Sequence, residues 1–136
     1  MPYSIDTVIT CKNIGDKVYF KNTENTLNKG YAQWVYFETS GLFDVSGDLS
    51  SMNNYSLILE DWIFCGLFQK TNIRFSDELI FPWITMSSYC FFMMFSSCKN
   101  LISSPNLSAT VLAQSCYQNM FENCTSLVNT FSLKAT

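Results

Sequence analysis

The sequence predicts an α+β protein, in which a β-rich N-terminal cap precedes a short solenoid of repeated strand-and-helix units. Two observations carry this prediction. The C-terminal third contains one apolar pattern written twice, 26 residues apart, and a period of roughly 20 to 50 residues is typical of stacked repeats. The N-terminal part instead alternates short β-branched or aromatic runs with turn residues, which is typical of antiparallel strands.

Four runs in the N-terminal part have the composition of strands: 7–11, 17–20, 34–37 and 42–45. Turn residues, including Gly15, Gly30 and Gly41, separate them. We therefore predict two hairpins in a cap that spans residues 1–56. The solenoid then spans 57–136 and opens with a strand at Leu57.

The solenoid is predicted to contain a degenerate repeat at about 62–87 and two clear repeats at 90–115 and 116–136. In the last repeat the spacing i, i+4, i+5 and i+8 indicates the apolar face of a short helix, formed by Cys116, Met120, Phe121 and Cys124. Leu127 and Leu133 have the same parity and would point inward from a strand. Strands of adjacent repeats would pair in parallel.

The residues Cys-Tyr-Gln-Asn-Met-Phe-Glu-Asn-Cys-Thr-Ser-Leu at 116–127, with a weaker copy at 90–101 and a Leu-x-Ala-Thr after each, resemble BspA-like leucine-rich repeats. Residues 46–55 are similar to a segment that often introduces such repeats. This family occurs in surface proteins of anaerobic bacteria and in gut phage proteins. The resemblance implies a right-handed leucine-rich-repeat solenoid with parallel strands and short helices, used for adhesion or recognition.

Charge and hydropathy exclude several kinds of partner. The net charge is −3 and the eight Lys and Arg residues are scattered, whereas nucleic-acid binding needs clustered cations. The longest apolar run, 90–95, is far shorter than a membrane span. The N-terminus lacks the basic and apolar regions of a signal peptide. We therefore expect no nucleic-acid partner and no membrane insertion, and the resemblance favours a virion or extracellular surface.

No catalytic constellation is visible in the sequence. The chain has no His, which removes imidazole bases and imidazole metal ligands. Its adjacent carboxylates, Glu60-Asp61 and Asp77-Glu78, are interpreted as solvated turns or strand ends. We therefore predict a protein that is not an enzyme and that needs no cofactor or metal.

Four of the six cysteines occupy equivalent places in the repeats: Cys90, Cys98, Cys116 and Cys124. On a helix, a separation of eight residues is about 12 Å, which excludes a disulfide within one repeat. Packing in the core is the favoured interpretation. A bridge from Cys90 to Cys116, or the corresponding one between Cys98 and Cys124, stays open as an alternative.

The outward positions of the predicted strands form a candidate binding face. Its members are Arg74, Ser76, Glu78, Ile102, Ser104, Asn106, Val128, Thr130 and Ser132. Phe81 and Trp83 flank Pro82 and could anchor a ligand, with burial in the core as the alternative.

The function predicted from these features is recognition or adhesion, with a protein or glycan as the ligand. The alternative is an assembly protein whose last repeat docks on another subunit or on a second copy. An exposed strand edge at 127–133 would favour such docking, because unpaired edges are association sites.

Overall fold

The computed structural model describes residues 8–22, 35–128 and 133–134 of the 136-residue chain. Three regular elements occur in these ranges. Strand β1 (Gly47–Asp48) pairs in parallel with strand β2 (Leu79–Ile80), and a 3-10 helix (Leu49–Asn53) follows β1 directly. The rest of the described chain consists of turns, isolated bridges and irregular backbone.

The predicted leucine-rich-repeat solenoid with helices is therefore wrong. The described residues contain no α-helix, and the two strands have two residues each. Where the sequence predicts helices, at 90–98 and 116–124, the backbone forms consecutive turns.

These turns form three stretches of equal length, which we call turn segment 1 (61–70), turn segment 2 (88–97) and turn segment 3 (114–123). Within each segment, every second amide donates to the carbonyl three residues earlier, as Cys65 N–H does to Trp62. In turn segments 1 and 2, the intervening amides donate to carbonyls of the next segment. In this way Phe64 N–H donates to the Cys90 carbonyl and Phe91 N–H to the Cys116 carbonyl, at distances of 2.9 and 3.0 Å.

The turn geometry requires positive φ angles at every fourth residue. They occur in turn segment 1 at Trp62, Gly66 and Lys70, in turn segment 2 at Tyr89, Met93 and Ser97, and in turn segment 3 at Ser115, Asn119 and Asn123. A right-handed α-helix excludes such angles for L-residues. The apolar residues also recur every fourth position, as Cys116, Met120 and Cys124 do. That spacing is close to the helical period of 3.6, which is why the sequence pattern indicates a helix.

Aromatic rings stack through the core from one layer of chain to the next. Phe37, Phe68, Phe95 and Phe121 form one column, with centroid distances of 5.4, 5.5 and 5.6 Å. A second column contains Phe64, Phe91 and Tyr117. The rings within a column are nearly parallel, because equivalent residues of adjacent segments lie directly over one another.

Short extended stretches return the chain from one turn segment to the next. Their contacts are isolated parallel bridges, such as Phe75 with Ser103, Thr85 with Val111 and Leu107 with Leu133. Inward side chains such as Leu79 and Leu101 are buried. The predicted continuous strand at 127–133 lies mostly outside the described residues.

The predicted N-terminal hairpins are also wrong for the part of the cap that is described. Residues 8–22 and 35–46 contain no strand, and only Phe43 forms a bridge, with Ile73. The residues at 12–16 do form a turn, in which the Asp16 carboxylate accepts from the amides of Lys12 and Asn13. Val8 and Ile14 are exposed. In the first two runs, Val8 and Tyr19 are exposed. In the last two, Phe37, Phe43 and Val45 pack against the core, but through irregular backbone and not as strands.

The junction at β1 is the most regular part of the N-terminal half. The Asp48 carboxylate caps the 3-10 helix by accepting from Ser50 N–H at 2.8 Å. Asn54 ends the helix with a φ of 47°, a conformation that Asn tolerates better than most residues. Across the described ranges, no helix has the length and hydropathy that crossing a bilayer requires.

Candidate interaction surfaces

Only part of the predicted binding face is exposed to solvent. Ser76, Ser104, Phe81 and Trp83 are buried, so their side chains face the core. The Ser76 hydroxyl donates to the Ser103 carbonyl, and the Trp83 indole donates to the Ser56 carbonyl. The side chains of these four residues are therefore part of the protein interior.

Three of the other members lie in consecutive layers, since the Ile102 amide donates to the Arg74 carbonyl at 2.7 Å and the Val128 amide donates to the Ile102 carbonyl at 3.1 Å. Arg74 forms an ion pair with Asp44 at 2.9 Å, and both side chains are partly exposed. Ile102 is half-buried, whereas Glu78, Asn106 and Val128 are exposed. Thr130 and Ser132 lie outside the described residues.

A different set of exposed side chains is entirely aliphatic, and we call it the aliphatic ridge: Leu57, Ile58, Ile84, Val111 and Leu112. Their exposed fractions are 75, 78, 65, 52 and 44%. The ridge crosses three successive layers of the fold, and each layer contributes one or two aliphatic residues.

Hydrogen bonds between successive layers fix the order of the ridge. The amides of Thr110 and Val111 both donate to the Ile84 carbonyl, at 3.0 and 3.1 Å. On the other side, the Ser87 hydroxyl donates to the Glu60 carbonyl across 27 residues. The indole contact of Trp83 has the same separation. These two contacts flank Leu57 and Ile58, which therefore lie beside Ile84.

Three rings form a half-buried aromatic cluster at the start of turn segments 1 and 2. Trp62 and Tyr89 stack face to face, with centroids 4.0 Å apart and planes 2° apart. Phe92 meets both rings edge-on. The Tyr89 hydroxyl accepts from the Gln114 amide at 3.1 Å. Because Trp62 and Tyr89 cover one face of each other, fewer ring faces are left for a sugar.

A shallow depression of about 430 Å³ lies at the ends of turn segments 1 and 2. Its lining residues are Lys70, Thr71, Asn72, Ser97, Lys99 and Asn100. They include ammonium and amide groups but no carboxylate, so the lining brings no acid–base pair together.

All six cysteines are free thiols, and four of them are buried in the core: Cys65, Cys90, Cys98 and Cys116. Cys98 donates to the Phe68 carbonyl at 2.9 Å, and Cys124 donates to the Phe95 carbonyl at 3.1 Å. Thr71, the equivalent residue directly after turn segment 1, also donates to the Phe68 carbonyl, at 2.8 Å, but this contact lies within its own layer. The positions therefore select a small side chain that can donate one hydrogen bond.

Burial also makes these thiols poor nucleophiles. It raises the pKa of Cys65 and Cys90 to about 12 and that of Cys124 to about 11. Because the thiolate is the reactive form, such groups are inert at neutral pH. In the described part of the chain, no group of three or more Cys, Asp or Glu side chains is arranged to hold a metal ion.

Comparisons with protein families, curated proteins and solved structures gave no significant match. The resemblance to BspA-like repeats therefore stays an untested prediction.

The sequence contains a signal for the ridge that the period of 26 does not bring out. Leu57, Ile84 and Val111 are spaced by 27 residues. The Trp83–Ser56 and Ser87–Glu60 hydrogen bonds also join residues that are 27 apart in the sequence. A search at this period would have aligned the three residues. Their exposure still depends on which side of the returning chain faces solvent.

Proposed function

We propose that this protein is a non-enzymatic binding module that recognises another protein through the aliphatic ridge. The observation that carries the proposal is the occurrence of exposed aliphatic side chains at neighbouring places in three successive layers. Single exposed apolar residues are common on protein surfaces. A continuous apolar strip is less common, and in folded proteins it marks an interaction site.

The energy available at the ridge is appropriate for a protein contact. Burying one large aliphatic side chain fully is worth about 1.5 to 3 kcal/mol. Ile58 and Ile84 are 78 and 65% exposed, so each could contribute about 1 to 2 kcal/mol on burial by a partner. Five such residues give a gross gain large enough to offset part of the cost of association.

The ridge favours a protein over a glycan as the partner. Sugars are bound by aromatic stacking and by dense hydrogen bonding, and the ridge offers neither of these. The strongest aromatic pair, Trp62 with Tyr89, is stacked on itself. We therefore propose a partner whose contact surface has an apolar centre.

Nearby charge suggests the rim of that partner. Glu60 and Asp61 directly follow Leu59 and are exposed, and no Lys or Arg occurs from residue 75 to 98. Complementary charge improves association rate and orientation. The proposed partner surface therefore carries basic residues around its apolar centre.

A selection from a random peptide library displayed on phage tests this proposal. Full-length protein is the target, and the enriched peptides are then measured by fluorescence anisotropy. We expect apolar peptides flanked by Lys or Arg. Their affinity should fall at least tenfold for the double variant Ile58→Lys/Ile84→Lys.

Ile14→Lys is the matched control, because Ile14 is fully exposed in the turn at 12–16 and is not part of the ridge. It should leave peptide affinity unchanged. Equal binding to the ridge variant and to the wild type would refute the proposal. Self-association of the wild type that Ile58→Lys/Ile84→Lys abolishes would instead assign the ridge to a second copy of this chain.

A further inference from the structure

The layers of this fold have two chemically different sides. In turn segment 1, the amides at 62, 64, 66, 68 and 70 donate to carbonyls of turn segment 2, and in turn segment 2 the amides at 89, 91, 93, 95 and 97 donate to turn segment 3. All ten hydrogen bonds run in the same direction along the stack. Each segment therefore has a donor side and an acceptor side, unlike the edge of a β-strand, where donors and acceptors alternate.

Turn segment 3 repeats this arrangement, and four amides of its donor side are open in the described structure. The equivalent amides of Ser115, Tyr117, Asn119 and Asn123 have no acceptor in the described structure. Asn119 and Asn123 are exposed, and Ser115 and Tyr117 are half-buried. We call these four amides the open donor row. Amides removed from water without an acceptor are costly, so an apolar surface is a poor cover for this row.

We propose that the open donor row binds the acceptor side of a turn segment of the same kind on a different polypeptide. Two internal interfaces support this choice of partner. In both, an equivalent donor row is paired with alternate carbonyls at 2.7 to 3.1 Å. A third segment with the same backbone geometry would fit the open row in the same manner.

The aromatic columns fit the same partner. Tyr117 is the last ring of its column among the described residues, and it stacks on Phe91 at 5.9 Å. Its hydroxyl is buried without a hydrogen-bond partner in the described structure. A docked segment would continue the column with a ring over Tyr117 and could supply an acceptor for that hydroxyl.

A second copy of this chain does not meet these requirements. Two open donor rows facing each other would place N–H groups against N–H groups. The acceptor side of turn segment 1 is occupied, because Phe37 N–H donates to the Leu67 carbonyl and the Phe37 ring stacks on Phe68. Ile63 and Cys65, which supply further carbonyls to that side, are 2 and 1% exposed. The proposed partner is therefore a different chain.

The probe for this proposal is a synthetic peptide with the sequence of residues 88–114, made soluble by added C-terminal lysines. It carries the carbonyls that pair with a donor row, and its Phe91 and Phe95 are the rings that would lie over turn segment 3. Full-length protein is titrated with the peptide, and amide hydrogen exchange is measured residue by residue.

We expect protection to rise at least tenfold at Ser115, Tyr117, Asn119 and Asn123. The intervening amides, such as Gln118 and Met120, already have acceptors three residues earlier and should change little. A peptide in which both phenylalanines are replaced by Ala should bind at least tenfold more weakly. A scrambled peptide of equal composition is the control for general apolar adsorption.

Three results would overturn the proposal. One is absence of protection at saturating peptide, and another is protection spread evenly over turn segment 3. The third is a concentration-dependent dimer of the protein alone that protects the open donor row. The Ile58→Lys/Ile84→Lys variant should bind the 88–114 peptide normally, so failure at the ridge and failure at the donor row can be told apart.

Discussion

Phe95 is the residue whose truncation tests the packing of this fold most severely. Its side chain is completely buried, and its ring lies between Phe68 at 5.5 Å and Phe121 at 5.6 Å. The change Phe95→Ala removes the ring and leaves a cavity between two turn segments. Loss of a buried phenylalanine costs about 3 to 5 kcal/mol. Aromatic pairs add to area burial, so we expect the upper part of that range, about 4 to 5 kcal/mol.

The free energy of unfolding is measured by urea denaturation, with circular dichroism and tryptophan fluorescence as two probes. Phe75→Ala is the matched control, because Phe75 is 38% exposed and should lose only about 1 kcal/mol. The Phe95→Ala midpoint should fall well below that of the control. A loss of less than about 1.5 kcal/mol would contradict a continuous ring column, because such a loss is below the usual cost of replacing a buried Phe with Ala.

Further predictions concern the turns, the thiols and the surface charge. Met93 has a φ of 54°, and a left-handed backbone conformation costs an L-residue about 1 to 2 kcal/mol. Met93→Gly should therefore leave the free energy of unfolding unchanged or raise it by up to about 1 kcal/mol, whereas Ser96→Gly, in the same segment, should lower it by about 1 kcal/mol. Urea denaturation of both variants tests this difference. Of the six cysteines, only Cys11 is exposed, so Ellman's reagent should react rapidly with one thiol in the native protein, and Cys11→Ser should remove that phase. Burial raises the pKa of Cys90 to about 12 from 9.0, so this thiol ionises in the unfolded state first as pH rises. Its contribution to the free energy of unfolding should therefore fall by about 1.4 kcal/mol per pH unit above pH 9. Cys90→Ala should reduce that slope in urea titrations at about pH 8 to 11. Arg74→Ala removes an exposed ion pair and should cost only about 0.5 kcal/mol, with the difference from wild type shrinking in high salt.

The apolar pattern of the sequence correctly identifies much of the core, because burial depends mainly on side-chain chemistry. Cys90, Met94, Phe95, Cys98 and Leu101 are all 0% exposed. Their counterparts 26 residues later are less completely covered, since Phe121, Cys124 and Leu127 are half-buried. Leu133, the counterpart of the buried Leu107, is 48% exposed. The pattern alone does not say how many layers cover a given repeat.

The backbone conformation could not be predicted from that pattern. An apolar residue at about every fourth position is compatible both with an α-helix and with consecutive turns that have a positive φ at every fourth residue. The deciding residues are those that must accept left-handed backbone. Gly66, Asn119 and Asn123 tolerate it, but Tyr89 and Met93 are unfavourable there. The residue preferences for positive φ therefore do not decide between helix and turns, and the hydrogen bonds between layers favour the turns.

The candidate surfaces were harder to predict than the core. Assigning Ser76 and Ser104 to an outward face assumes regular alternation along a strand. In the structure residues 103, 104 and 105 are all buried, because an irregular chain need not alternate. Leu57 and Ile58 are predicted as a strand that starts the solenoid, and they are instead exposed members of the aliphatic ridge.

The most direct test of the account is residue-resolved amide exchange on the full-length protein alone, measured by NMR. In this fold, alternate amides of one turn segment donate hydrogen bonds to carbonyls of the next. We expect Tyr89, Phe91 and Met93 to be strongly protected, and the open donor row of turn segment 3 to exchange at least a hundredfold faster than these residues. Uniform protection through 115–124 would indicate a helix with i to i−4 hydrogen bonds and would contradict the account.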